Sequence, residues 1–291
     1  MSTPPYLDLP AGARPVLLRT SRGDLSGVRI DAEGDAAGTC LLVPGWTGSK
    51  EDFIAVLAPL SRRGWNVVAY DQRGQFESRG PEDESAYTLA ALAADLLEVL
   101  AGIGPAHVVG HSFGGLVARE AALASGGDGF ASLTLLCSGP ATLPASHHDG
   151  LGALHAALPH VPLDVVWEVK SAADREGGWT PPSAEVEDFM RRRFVANSPY
   201  GLRVKTGILL DTVDRTDELA ALARDGLPVG VVYGPADDAW PLAQQDAVAA
   251  AVGTVPQVIA GAGHSPAAEL PEETAEVLDS LWRSFPRRAD G

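Results

Sequence analysis

The stretch "AHVVGHSFGGLVAREAAL", residues 106–123, changes character at its centre. Its opening reads as a buried strand and its close as a helix, with Ser112 at the joint between Gly110 and Gly114. A sharp strand-to-helix turn pushes its middle side chain out at the C-terminal edge of a sheet. It also crowds the positions two before and two after, where glycine relieves the crowding. A serine presented this way is a candidate nucleophile. The bland alternative is a helix-capping serine after a buried strand.

Working outward, strands and helices alternate. "PVLLRT" and "LSGVRID" precede "TCLLVPG", a solid apolar run suited to a central strand covered on both faces. "SKEDFIAVLAPLSRRG" has helical spacing at Phe53, Ile54, Leu57 and Leu60, with Ser49 as cap and Gly64 as stop. The strand "WNVVAYD", the helix "TLAALAADLLEVLAGIG" capped by Thr88, and the strand "FASLTLLCSG" keep the rhythm. From about residue 141 to 225 it breaks into irregular text with helical stretches such as "SAEVEDFMRRRFVAN", where Ser183 caps and Arg191 to Arg193 complement the helix dipole. The alternation resumes with "LPVGVVYG", "PLAQQDAVAAAVG", "VPQVIAG" and "PEETAEVLDSLWRSF". The pattern predicts an α/β fold with a mostly parallel twisted sheet flanked by helices. The expected division is a core over 1–140, an inserted helical cap over 141–225 and the rest of the core over 226–291.

Composition narrows the class. A formal net charge of −16 argues against nucleic-acid or anionic-membrane partners, which need clustered Lys and Arg. The two cysteines, Cys40 and Cys137, lie in apolar runs and read as buried free thiols of a reducing compartment. No apolar run reaches secretory or membrane-spanning length, so the expectation is a soluble cytoplasmic protein acting on a small molecule.

A serine hydroxyl needs a base, and the base needs an orienting partner. After Ser112, "VVYGPADDAWP" and "VIAGAGHSP" each follow a strand with a titratable group just past a glycine. In a parallel sheet these loops share an edge with the Ser112 corner. His264 is the candidate base, and Asp237 or its neighbour Asp238 the candidate acid. The amide of Phe113, free at a helix start, is a candidate oxyanion donor.

"GHSFGG", "YDQRG", "GPADDAWP" and "GAGHSP", in this order, resemble the α/β-hydrolase family. The resemblance covers essentially the whole chain outside the cap. It implies a serine hydrolase with a Ser112–His264–Asp237 triad, since Gly234, Asp237 and Pro241 fit the family's acid-bearing frame. It also implies a second oxyanion donor, the amide of Trp46, after Pro44-Gly45 where relatives commonly carry His-Gly. Family members often have glycine where Phe76 stands; Asp71 and Arg73 read as loop-holding residues. Haloalkane dehalogenases and epoxide hydrolases of this fold carry aspartate at the corner, which a serine excludes.

No cofactor is expected. His147, His148, His155 and His160, with Asp149, lack the helical spacing of a zinc site, and no metal is expected there. Trp46, Phe113 and Trp240 are candidate substrate contacts; Trp167, Trp179, Phe189 and Phe194 could line the same pocket or fill the core. The expected reaction is hydrolysis of a small or medium, largely apolar ester, lactone or thioester. Carbon–carbon bond hydrolysis or lysis on the same residues, and slow-turnover ligand binding, are the rival readings.

Overall fold

The computed structural model describes residues 2–286. The outermost bounds of the expected division, residue 1 and residues 287–291, lie outside the described residues. Strands β1 (Arg14–Leu18), β2 (Leu25–Ile30), β3 (Gly38–Val43), β4 (Trp65–Tyr70), β5 (Ala106–His111), β6 (Phe130–Leu136), β7 (Val229–Tyr233) and β8 (Gln257–Val258) form one sheet. Their order across it is β1-β2-β4-β3-β5-β6-β7-β8. β2 runs antiparallel to both neighbours, and every pairing from β4 to β8 is parallel. The solid apolar runs are the central strands: Cys40 to Val43, Val108, Val109, Val231 and Val232 are all buried.

The register aligns the strand ends. Val43 lies opposite Gly110, His111 opposite Leu136, and Tyr233 opposite Val258. The loops that follow β3, β5, β6, β7 and β8 therefore leave from one rim. β8 is shorter than "VPQVIAG" predicts, because Pro256 has no N–H to give to the ladder and only Gln257 and Val258 pair.

The helices are α1 (Ile54–Arg62), α2 (Leu89–Ile103), α3 (Phe113–Ser125), α4 (His148–Ala157), α5 (Leu163–Glu176), α6 (Ala184–Val195), α7 (Pro199–Leu210), α8 (Thr216–Arg224), α9 (Leu242–Ala251), α10 (Pro266–Glu269) and α11 (Pro271–Ser284). α1 begins later than the sequence suggests: a 3-10 turn, Lys50–Phe53, comes between Ser49 and its first residue. Thr88 and Ser183 cap as expected, accepting from the amides of Ala91 and Val186 at 3.2 Å each. Gly64 ends α1 in the left-handed region, at φ +89°. Among the described residues no helix is long and apolar enough to cross a membrane. Cys40 and Cys137 are free and buried.

Helices α4 to α8 all fall between β6 and β7. They carry an apolar cluster of their own, built on Leu158, Trp167, Phe189, Met190 and Phe194, and Trp46 packs against both this cluster and the sheet's core. Charge also joins the two. Arg191 to Arg193 are not equivalent: Arg191 is half exposed, whereas Arg193 is fully buried and ion-paired with Asp52, beyond β3. Its guanidinium also donates to the Ser2 carbonyl at 2.8 Å. Helical periodicity alone did not separate these arginines; the approach of the 49–52 segment turns Arg193 inward. Lys205 of α7 is likewise buried and donates to the Arg73 carbonyl at 2.9 Å, and burial pulls its pKa down to about 7.

Candidate active site

Ser112 is the only residue between β5 and α3, and it bends the chain with φ +54° and ψ −122°. Its amide donates to the Leu136 carbonyl at 2.9 Å, which holds the bend against β6. The flanking glycines are required by space. A Cβ at Gly110 would lie 2.5 Å from both the Gly114 carbonyl oxygen and Gly115 Cα, and one at Gly114 would strike the Val43 carbonyl.

Four non-glycine residues among those described have positive φ: Thr47, Phe76, Ser112 and Cys137. They lie beyond the C-terminal ends of β3, β4, β5 and β6, the four adjacent central strands. Backbone strain of about 1–3 kcal/mol per residue is concentrated on the rim that carries the candidate residues, as it is at many functional sites. At Phe76 the cost is offset by contacts. Its ring meets Phe189 edge-on at 5.5 Å between centroids, and Lys50 Nζ sits 4.9 Å from its centre.

The rim brings three predicted residues into a row. His264 Nε2 lies 3.0 Å from Ser112 Oγ, and His264 Nδ1 lies 2.7 Å from Asp237 Oδ1. Asp238 is exposed, and its carbonyl meets His147 Nε2 at 3.0 Å instead. Asp237 Oδ1 also accepts from the Ala239 amide at 3.0 Å, and Oδ2 accepts from Gln245 Nε2 at 2.8 Å. Burial pushes the Asp237 carboxyl up, but the hydrogen bond and charge of His264, with those two amide donors, more than offset it, and its pKa lies below the ordinary value. Asp237 is thus held as a carboxylate against the imidazole.

Several residues that hold this row give no signal in the sequence. Glu269 accepts from the amides on both sides of His264, Gly263 at 2.5 Å and Ser265 at 2.8 Å. Gln72 and Gln75 donate to the carbonyls of Pro44 and Gly45 at 2.7 and 2.9 Å and so fix the loop before Trp46. His111 Nε2 donates to the His264 carbonyl at 2.7 Å. Burial, with the neighbouring His264, drives the His111 pKa down to about 3. Protons therefore bind the unfolded state better, and the stability this shift confers is complete above about pH 6.5 and falls as pH drops toward 3. At pH 4.5 the loss reaches roughly 2–3 kcal/mol. Urea unfolding at pH 7.5 and 4.5 is expected to show a drop that shrinks by about that amount in His111→Gln. An equal drop in both proteins would contradict the assignment.

The proposed oxyanion donors lie beside Ser112. The Phe113 amide opens α3, and a Cβ on Gly45, next to Trp46, would sit 3.2 Å from Ser112 Cβ. Neither the Trp46 nor the Phe113 amide donates to another group among the described residues. The Trp46 indole donates to Thr206 Oγ1 of α7 at 3.1 Å, tying this loop to the helices above. The other aromatic residues are placed as follows. Phe113 and Trp240 side chains are 0% and 1% exposed and pack in the sheet's core, because α3 turns inward and Gly139 receives the Trp240 ring. Trp167, Phe189 and Phe194 are core residues of the helical cluster. Trp179 reaches Thr3 Oγ1 at 3.2 Å and borders a separate cleft of about 290 Å³. The histidines of residues 147–160 gather no metal-binding set among the described residues. The one such grouping is Cys137, Asp237 and His264, with donor atoms within 4.8 Å, where His264 and Asp237 already bond to each other.

A family model described as "Alpha/beta hydrolase family" matches residues 40–277. The chain belongs to the alpha/beta hydrolase family. This alpha/beta hydrolase is 37% identical over 94 residues to the "Putative carbamate hydrolase RutD" of Variovorax paradoxus (strain S110), a match covering 32% of this chain and 34% of that protein. It is 39% identical over 100 residues to the protein of the same name from Escherichia coli O9:H4, covering 34% of this chain and 35% of that one. The chain thus spans about a third of the length of these curated relatives. A solved hydrolase from Pseudomonas aeruginosa PA01 superposes with a TM-score of 0.71 at 26% identity, over 94% of this chain and 99% of that one. An esterase from Thermogutta terrifontis shares the fold, with a TM-score of 0.70 at 23% identity over 93% and 98% of the two chains.

Proposed function

We propose that this alpha/beta hydrolase is a serine hydrolase that cleaves small or medium, largely apolar esters, lactones or thioesters through an acyl-enzyme. The contact row from Ser112 Oγ through the His264 ring to the Asp237 carboxylate carries this reading. His264 Nε2 takes the Ser112 proton as Oγ attacks the carbonyl carbon. Negative charge then grows on the carbonyl oxygen, and the Phe113 and Trp46 amides, which have no competing acceptor among the described residues, stabilise it. His264 returns the proton to the leaving group as the carbon–oxygen or carbon–sulfur bond breaks. Water, activated by the same imidazole, then releases the acid and restores Ser112. Asp237 holds the ring with Nδ1–H toward itself and stabilises the imidazolium.

In this reading residues 141–225 act as a cap over the rim. The part-buried rings of Trp46 and Phe76, set between the rim and helices α6 and α7, support an apolar substrate. Carbamates are a second reading, favoured by the names of the matched relatives. A fluorophosphonate probe is expected to add once, on the peptide containing Ser112. Initial rates on p-nitrophenyl esters of rising chain length, beside lactones, thioesters, an N-alkyl carbamate and a ring-cleavage diketone, should be highest on the short and medium esters. A folded protein that takes no label would overturn the nucleophile. Turnover of the diketone alone would move the assignment to carbon–carbon cleavage.

A further inference from the structure

Asp237 has two oxygens, and they are held differently. Oδ1 serves the His264 ring and the Ala239 amide, whereas the partner of Oδ2 is Gln245 Nε2 at 2.8 Å, from the first turn of α9. Gln245 is 0% exposed. The same Nε2 also faces the Trp240 carbonyl at 3.4 Å. Both neighbours are obligate acceptors, so the amide nitrogen must point this way. The amide oxygen, by contrast, is buried and without a hydrogen-bond partner among the described residues. An orphaned buried carbonyl is destabilising, a cost an apolar side chain of similar volume would avoid. The amide's one favourable interaction is thus the donation that holds the acid and the loop behind it.

We propose that Gln245 is a positioning residue for the reaction. By holding one oxygen of the Asp237 carboxylate it fixes the plane of the group, so that the other oxygen is aimed at His264 Nδ1. This rests on the serine-hydrolase reading above. Gln245 touches neither Ser112 nor His264, so it acts only through Asp237. Without its donor the carboxylate can turn about its Cβ–Cγ bond, and the imidazole loses its fixed direction toward Ser112 Oγ.

Gln245→Met keeps the volume and removes the donor. It is expected to lower kcat about 10- to 100-fold with KM within twofold of wild type, and to slow fluorophosphonate labelling by the same factor. Gln245→Glu separates donation from packing. The introduced carboxyl can still donate to Oδ2 while it is protonated, and repels it once ionised. The activity of this variant relative to wild type, taken at each pH, is expected to fall at least tenfold between pH 6 and pH 9. A purely structural role predicts the same relative loss at every pH. Wild-type kcat in Gln245→Met, or a flat ratio for Gln245→Glu, overturns the proposal; should Gln245→Met not fold, the Gln245→Glu ratio decides alone. Ser112→Ala and Asp237→Asn run beside them distinguish the two levels. If those variants stay active, the serine-hydrolase reading has failed; if they are inactive while both Gln245 variants behave as wild type, only the role of Gln245 has.

Discussion

Ser112→Ala is expected to lower kcat by about 10⁴- to 10⁶-fold on any ester the wild-type chain turns over, with KM little changed. The fold should survive. The bend is held through the backbone, by the Ser112 amide on Leu136 and the Gly115 amide on the Ser112 carbonyl, both at 2.9 Å, and alanine keeps both bonds. Serine already occupies φ +54° without a cap bond from its side chain, so alanine meets the same strain. A urea unfolding free energy within about 1 kcal/mol of wild type would assign the lost rate to the missing oxygen and not to unfolding. Residual turnover would come from the proposed oxyanion donors and binding alone. A folded variant that retained a tenth of the wild-type kcat would mean that another group attacks the carbonyl.

Asp237→Asn should cost about 10⁴-fold in kcat, by a different route. An asparagine offers one acceptor where Asp237 offers two. The His264 ring, the Ala239 amide and Gln245 Nε2 all donate there. If the new amide oxygen faces His264 and Ala239, its NH₂ meets the Gln245 NH₂. If it faces Gln245 instead, the NH₂ meets Nδ1 and forces the ring proton onto Nε2, which leaves no base for Ser112. The second arrangement disables the imidazole outright, and the first, which Gln245 can accommodate by turning its amide over, still lacks the carboxylate charge that stabilises the imidazolium. Asp238→Asn is the control, because that side chain is exposed and only its backbone is engaged; it should stay within twofold of wild type. Steady-state rates on one p-nitrophenyl ester measure both. A reversed result, with Asp238→Asn the inactive variant, would assign the acid to the neighbouring residue.

Much of this geometry could be read from local chemistry. The Ser112 corner was legible because its crowding is local: Gly110 and Gly114 must lack side chains whatever the rest of the chain does. The shared rim followed from alternation, since parallel strands put every outgoing loop on one edge. What stayed hidden depends on contacts between distant residues. Nothing in the spacing around Gln72, Gln75 and Gln245 marks them as buried, yet each is buried and donates to the rim. Arg193 sits in a run of three arginines, and only the arrival of Asp52 picks it out. Whether Phe113 and Trp240 line a pocket or fill the core is open in the sequence; both rings pack inward.

The Arg193–Asp52 pair bears on how this molecule could be rebuilt. Replacing Arg193 alone with an uncharged residue would leave the Asp52 carboxylate buried with no counter-charge, and losing one partner of a buried pair costs about 3–5 kcal/mol. The Trp46 indole and the Lys205 side chain add two further ties across the same boundary. A chimera that swaps this helical block with that of a relative would therefore have to carry residues 46–52 along with it, because the two pieces are welded by polarity as well as by grease.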